Sequence, residues 1–339
     1  MKLSHVSTVV GSFPYNGYTP ENMTKGIELQ LRAGVDYPSY PQLVPMVAQF
    51  LDPLVPKNLN LKKIDTLYKL EKFEFQFPDE PIATEYGEFM LQYFKEHSEE
   101  KKKIKGMKAC LTGPFTIAND IILANGIVDP KPPVIYQEQR AIMFKELLLQ
   151  IADYMASIAR RYSEMGFEII SMDEPVLSLI VGKRKTLFHS DDDIIEILNR
   201  ALAGIKKYSS VHVCGRISPR LADILLKSNV SIMDHEFTGG ENDNSFTKEM
   251  FQGTNKTLAV GVIVSNVKYQ EGASMEQYVE TVDEIIGRIK KYQEKFRKEN
   301  IMFKPDCGFG GLWSSFKEQG APLVEQKLKN LRLAMDQTI

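Results

Sequence analysis

A histidine and a cysteine two residues apart stand in the stretch Ser209-Ser210-Val211-His212-Val213-Cys214-Gly215-Arg216. β-Branched residues at 211 and 213 and a glycine at 215 predict a strand that ends in a loop. Residues i and i+2 of a strand point to one face, so the imidazole and the thiol aim the same way. One nitrogen and one sulfur make half of a tetrahedral zinc site. Two more donors end later strands: Glu236 in Ile232-Met233-Asp234-His235-Glu236, and Cys307 in Lys304-Pro305-Asp306-Cys307-Gly308. A lone His-x-Cys is equally two small polar side chains on a core strand. The metal reading gains because Glu236 and Cys307 close strands at the same end. His235 falls on the face opposite Glu236 and reads as a neighbour, not a ligand. Cys110 lies inside an apolar run and reads as a buried structural thiol.

Other strand ends carry different chemistry. The strand-like run His5 to Val10 reaches Gly11-Ser12-Phe13-Pro14. Backbone amides around Val10, Gly11 and the Ser12 hydroxyl suit a carboxylate, though an ordinary strand-to-loop turn has the same residues. Phe167 to Met172 leads into Asp173-Glu174-Pro175. One of these carboxylates is expected to serve a site and the other to be paired in the wall; the alternative is a surface turn.

The elements that would position these groups alternate. Helices are predicted over Glu21–Ala33, Pro45–Leu51, Thr84–Glu100 with Thr84 as its cap, and Glu138–Met165. They continue over Asp191–Lys207, Pro219–Lys227, Ser274–Lys298 and Ala321–Met335. Strands are predicted at 5–10, 34–37, 106–111, 167–172, 209–214, 230–233, 257–264 and 301–304. Alternation of this kind means a parallel sheet. Ser12, Asp173, His212, Glu236 and Cys307 all fall where strands end, which is where a (β/α)8 barrel builds its site. An open doubly wound sheet would struggle to bring so many strand ends to one point. The expectation is therefore an α/β fold, a single (β/α)8 TIM barrel over 1–339, with zinc at the C-terminal mouth of the strands. Residues 52–105 are less regular and read as an insertion or lid beside that mouth.

Composition narrows the setting. The chain has 339 residues, 43% of them hydrophobic, and a formal net charge of −2, which gives no reason to expect nucleic acid or a membrane surface. It has no apolar run of about 18 residues or more, and Met1-Lys2-Leu3-Ser4-His5 does not read as a signal peptide. Three cysteines cannot all pair, so they are expected to be free or metal-bound in a cytoplasmic protein.

The motifs, taken in order, resemble the catalytic C-terminal barrel of cobalamin-independent methionine synthase. Val10-Gly11-Ser12-Phe13-Pro14 resembles that family's Ile-Gly-Ser-Phe-Pro, and Leu111-Thr112-Gly113-Pro114 its Leu-Thr-Gly-Pro. Met172-Asp173-Glu174-Pro175 resembles Ile-Asp-Glu-Pro, His212-Val213-Cys214 its His-x-Cys, and Pro305-Asp306-Cys307-Gly308 its Pro-Asp-Cys-Gly. Glu236 falls where the family's zinc-binding Glu lies. The resemblance implies a zinc enzyme that moves a methyl group to the thiol of homocysteine. Zinc would be held by His212, Cys214, Glu236 and Cys307. Val10, Gly11, Ser12, Gln42 and Asp173 would bind the amino acid, with Ser12 on its carboxylate and Asp173 on its ammonium group.

Departures from the family pattern bear on the methyl donor. The accessory N-terminal barrel has no counterpart in this chain. Asp120 stands near the place of a Trp that contacts the folate pterin, and the chain's one Trp is Trp313. Gln42 and Ala48 stand where the family has Glu. Gly261-Val262-Ile263-Val264-Ser265-Asn266 lacks the family's proton-relay His. The pattern resembles the short single-barrel archaeal and bacterial relatives. It implies a corrinoid donor, methylcobalamin or a corrinoid protein, in place of methyltetrahydrofolate. Two other readings stand beside this one: a zinc enzyme acting on another small thiol such as coenzyme M, and a non-enzyme with a structural zinc.

Overall fold

The computed structural model describes residues 3–127, 137–296 and 298–338. Among them are nine strands: β1 (Leu61–Ile64), β2 (Leu67–Leu70), β3 (Lys108–Thr112), β4 (Ile121–Leu123), β5 (Ile169–Asp173), β6 (Tyr208–Val213), β7 (Ile232–His235), β8 (Thr257–Ile263) and β9 (Ile301–Pro305). Six of them form one sheet in the order β3-β5-β6-β7-β8-β9, and every pairing is parallel. The remaining three form a small sheet, β1-β2-β4.

Side-chain alternation divides the large sheet's two faces. Ile170, Met172, Val211, Val213, Met233, Leu258, Val260 and Phe303 join the main core. That core lies under helices such as Lys145–Glu164, Asp191–Leu202 and Pro219–Lys227. The opposite parity carries Ile169, Ile232, Ala259 and Met302, which cluster apart from it with Leu3, Val6 and Tyr37. Two residues further along these same strands the side chains become Ser171, Asp234 and Lys304. One face of the sheet is thus apolar at the strands' starts and polar toward their C-terminal ends, so the buried chemistry gathers at one end.

The expected eight strands are six. Residues around 6–8 and 37–40 lie between the sheet's two edges but make only single parallel bridges, Ser7–Phe303, Thr8–Tyr37 and Ser39–Lys108. Backbone bonds accompany them: Thr8 N–H to the Phe303 carbonyl at 3.1 Å, Tyr37 N–H to Ser7 at 3.0 Å and Lys108 N–H to Pro38 at 2.9 Å. Pro38 and Pro41 lack the N–H a ladder needs, and His5 and Gly11 have positive φ, so neither segment runs as a strand.

Several helices are shorter than the sequence pattern predicts. Thr84–Glu100 is two pieces, Glu85–Glu96 and Ser98–Lys101, and the Thr84 hydroxyl donates to Glu88 instead of capping. The long helix starts at Lys145, not Glu138, and the helix before β9 is Val282–Lys295. Between β7 and β8 the described chain has a single 3₁₀ turn, Glu249–Phe251, in place of a helix. Segment 52–105 carries the β1–β2 hairpin, and its Leu61, Tyr68, Tyr86, Met90 and Phe94 join the main core.

Gly204, just past the helix Asp191–Leu202, lets two backbones touch. A Cβ there would lie 2.1 Å from the Ala156 carbonyl oxygen and 2.8 Å from the Arg160 nitrogen. We expect Gly204→Ala to lower the unfolding free energy by about 1–3 kcal/mol. The readout is a lower urea midpoint at unchanged slope; an unchanged midpoint would mean that this approach is not tight.

Candidate metal centre

Adjacent parallel strands set the depth of each donor. Asp173 at the end of β5 is in register with His212 of β6, and His212 is in register with Asp234 of β7. Cys214 follows β6, and Gly215 after it has φ +74°, which turns the chain sharply and leaves the thiol at the strand end. Cys307 follows β9 in the same way, and its N–H donates to the Ser265 hydroxyl at 3.0 Å.

Together these place His212 Nε2, Cys214 Sγ and Cys307 Sγ in one group whose members all lie within 4.8 Å of one another. Nε2 is 3.1 Å from Cys214 Sγ and 3.7 Å from Cys307 Sγ, and the two sulfurs are 3.2 Å apart. Ligands on a tetrahedral zinc at ordinary bond lengths are about 3.5–3.8 Å apart, so small adjustments would seat an ion. His212 is buried and both thiols are half-buried. The contacts with Cys214 first and with His212 after it bring the Cys307 thiol down, against burial, which opposes loss of its proton. Cys214, the other member of that pair, is pushed up, first by the same contact and then by burial.

The other imidazole nitrogen is fixed from below. His212 Nδ1 is 2.6 Å from Asp234 Oδ1, and both residues are buried. Asp234 also receives Lys304 Nζ at 2.7 Å and Lys108 Nζ at 3.4 Å, and both lysines are buried too. Burial alone would raise the Asp234 carboxyl, but Lys304, His212 and Lys108 hold it well below the usual range. For His212, burial disfavours the charged ring, and Asp234 overrides that and raises it to about 10. With a carboxylate on Nδ1–H, a metal that displaced the Nε2 proton would meet a lone pair facing the sulfurs, the tautomer a metal needs. Asp234, Lys304 and Lys108 escaped the motif reading. The signal was present: charged residues inside otherwise apolar parallel strands must be paired.

The other expected site residues fare differently. Glu236 stands outside the three-donor group; burial raises its carboxyl, while a bond from the Gly215 amide lowers it. Two contacts hold it near the cluster. Asn242 Nδ2 donates to the carbonyls of Gly215 and Glu236, and Asp306 Oδ1 accepts the N–H of Phe237 at 2.9 Å. Asn242 is therefore a buried bracket inside what the sequence presents as a polar loop.

Asp173 is buried, accepts the Ser171 hydroxyl, and is raised to about 6 chiefly by burial. Its neighbour Glu174 is the paired one, accepting Phe115 N–H, Thr116 N–H and the Thr116 hydroxyl. The Ser12 hydroxyl already accepts Gly310 N–H at 3.2 Å, which ties it to the loop after Cys307. The Gly11 carbonyl accepts Gln42 N–H, and the Val10 carbonyl accepts the Cys110 thiol. The Gln42 side chain is buried and donates to Gln49. Cys110 is fully buried outside the cluster and pushed up to about 12, chiefly by burial. His235 is buried away from the cluster and stacks on Phe246.

A parallel α/β sheet with imidazole and thiol donors gathered at its strand ends defines the class: an α/β protein with a donor set that could hold a metal ion. Its family is narrower. The model of the family described as "Cobalamin-independent synthase, Catalytic domain" matches residues 90–335, and the chain belongs to that family. The methionine synthase of Methanothermobacter thermautotrophicus is 29% identical over 204 residues, covering 60% of this chain and 56% of that protein. The methionine synthase of Methanocaldococcus jannaschii is 29% identical over 205 residues, covering 60% and 58%. The match thus spans less than two thirds of either relative. A B12-independent methionine synthase from Shewanella sp. W3-18-1, solved with selenomethionine, superposes with a TM-score of 0.70 at 16% identity, covering 98% of this chain and 97% of that one. A vitamin-B12-independent methionine synthase described as putative, from Listeria monocytogenes, gives 0.62 at 14% identity, covering 94% and 87%. At such identities the likeness is one of fold.

Replacing Asp234 with Asn keeps the shape and removes the charge behind Nδ1. We expect Asp234→Asn to weaken zinc binding by about 10- to 100-fold in chelator competition. Cys110→Ser should leave zinc affinity unchanged. Equal effects of the two substitutions would refute the assignment of Asp234 as the residue that orients His212.

Proposed function

We propose that this chain is a zinc-dependent methyltransferase acting on the thiol of homocysteine, built as a (β/α)8 barrel whose two irregular segments serve as the remaining staves. The observation that carries this reading is the cluster of His212, Cys214 and Cys307 at the strand ends of a chain belonging to this family. His212, Cys214 and Cys307 would hold zinc, with Glu236 as the fourth ligand, displaced by or yielding to the substrate. Bound there, zinc would keep the substrate sulfur in its thiolate form at neutral pH. The chain's own residues do the rest. Asp234 orients His212. The amides near Val10 and Gly11, with Ser12, receive the amino acid's carboxylate, and Gln42 braces that wall. Asp173 reads the ammonium group. Methyl transfer is then a displacement at carbon: sulfur attacks the methyl, and the donor leaves with the bonding pair.

A methyl-corrinoid, either methylcobalamin or a corrinoid protein, is the donor we favour. The support is the missing folate half of the family pattern: Asp120 in place of the pterin-contacting Trp, and Val264-Ser265-Asn266 without the His. A folate donor leaves as a poor amine and must be protonated, whereas a cob(I)alamin leaves without a proton. The family's description as cobalamin-independent pulls toward the opposite donor, so the assay must compare the two. Coenzyme M or another small thiol is the second substrate reading; Ser12 and Asp173, a pair suited to an amino acid zwitterion, favour homocysteine. A purely structural zinc is disfavoured by the half-buried, open thiols.

Purified protein should carry about one zinc per chain. Cys214→Ser and Cys307→Ser should each lose metal and activity together. Zinc-loaded protein incubated with homocysteine should form methionine from methylcobalamin and little from methyltetrahydrofolate; the reverse outcome rejects the corrinoid donor. Asp173→Asn should weaken homocysteine binding far more than binding of a thiol without an amino group. An equal loss for both thiols would show that Asp173 does not read the ammonium.

A further inference from the structure

We propose that the loops after β5 and β6 form a basic lip that docks an acidic protein, the carrier that brings the methyl group to the thiol cluster. After β5 the chain makes a short helix, Leu177–Ile180, and then a tight hairpin closed by the bridge Val181–Thr186. The Gly182 N–H donates to the Lys185 carbonyl at 3.0 Å across the tip. Lys183, Arg184 and Lys185 on that tip are all exposed. The hairpin is clasped to the loop that follows Cys214. Ser218 Oγ donates to the Val181 carbonyl at 3.0 Å, and Arg220 Nη1 donates to the Arg184 carbonyl at 2.9 Å. Arg216 lies on that second loop, two residues past Cys214, and is exposed. Four exposed cations therefore sit on the two loops that follow β5 and β6, one of them two residues past Cys214.

Among the described residues none of these four side chains is in an ion pair, while the basic groups around them are. Arg220 meets Asp191 at 2.8 Å and Lys145 meets Asp193 at 2.5 Å. In a chain whose net charge is −2, four unpaired cations on one lip are a local reversal of sign. Next to them Leu179 is 76% exposed, although Leu177 and Ile180 of the same short helix are buried. An apolar side chain beside unpaired cations has the make-up of a protein docking patch.

The shape decides which anion fits. A small anion needs donors that converge, whereas these four exposed cations are spread over two loops. An extended acidic face meets all four at once and can cover Leu179. Such complementarity sets encounter rate and orientation. Delivery beside Cys214 gives it a use, so this inference rests on the methyl-transfer reading.

The test separates the two. Poly-L-aspartate serves as the probe for an acidic face, with inorganic phosphate and phosphatidylglycerol vesicles as competing arms. Wild-type zinc-loaded protein should bind poly-L-aspartate with an affinity that falls as salt rises. Lys183→Gln/Arg184→Gln/Lys185→Gln, alone or with Arg216→Gln, should weaken it by about tenfold or more. The charge-conserving Lys183→Arg/Arg184→Lys/Lys185→Arg should restore it. The triple Gln variant should keep its zinc content and its methionine formation from a free donor, yet fail to support growth of a host whose one methionine-forming enzyme is this chain. Normal growth of that host, or tighter binding of phosphate or vesicles than of poly-L-aspartate, overturns the proposal. If wild-type protein forms no methionine from any donor, the methyl-transfer reading falls, while the poly-L-aspartate result still reports on the lip.

Discussion

The site hangs on one buried carboxylate. Asp234 is shared by an imidazole and two ammonium groups, and none of the four side chains reaches solvent to any useful degree. Removing one partner of such a set leaves a charge stranded in low dielectric, at a cost of about 3–5 kcal/mol. The arrangement is therefore a constraint before it is a source of stability. It fixes how β3, β6, β7 and β9 sit, because each contributes one member: Lys108, His212, Asp234 and Lys304. The apolar cluster of Leu3, Val6, Tyr37, Ile169, Ile232, Ala259 and Met302 closes the space at the strands' starts. Water is kept from that side, so the charges must satisfy one another.

Above that layer the loops hold each other. Asp306 accepts the Phe237 amide, Asn242 spans the Gly215 and Glu236 carbonyls, and Ser265 holds the Cys307 amide. Each metal-ligand candidate is thus positioned by a neighbour from a different strand end. Supporting contacts of this kind keep donor atoms within the narrow tolerance that a metal requires.

Much of this was legible in the sequence, for reasons that differ by residue. His212, Cys214 and Cys307 could be found because their types are rare and their strands carry clear punctuation, a Gly after each thiol. Period-2 alternation gave the strands from β5 to β9 to within a few residues. The edges were harder. The first two segments are held by single bridges and interrupted by Pro38 and Pro41, so their extended look overstated their regularity. Thr84 had the composition of a cap, but its backbone is helical, with φ −105° and ψ −4°, and a cap needs the extended conformation. The polar groups of Ser12 and Gln42 already have partners within the chain, which no motif can show. Asp234 was hidden by its neighbours: a carboxylate two residues before Glu236 drew the eye to Glu236.

The two sulfurs of the cluster are 93 residues apart in the chain. His212 and Cys214 alone offer two ligands on one strand, too few for a closed site. The third arrives after β8, the helix Val282–Lys295 and β9 have been laid down. During synthesis the three donors therefore cannot meet until β9 and Cys307 have left the ribosome. The donor group is complete only when the sheet from β6 to β9 is complete, and a product that stopped before β9 would keep only the His212–Cys214 pair.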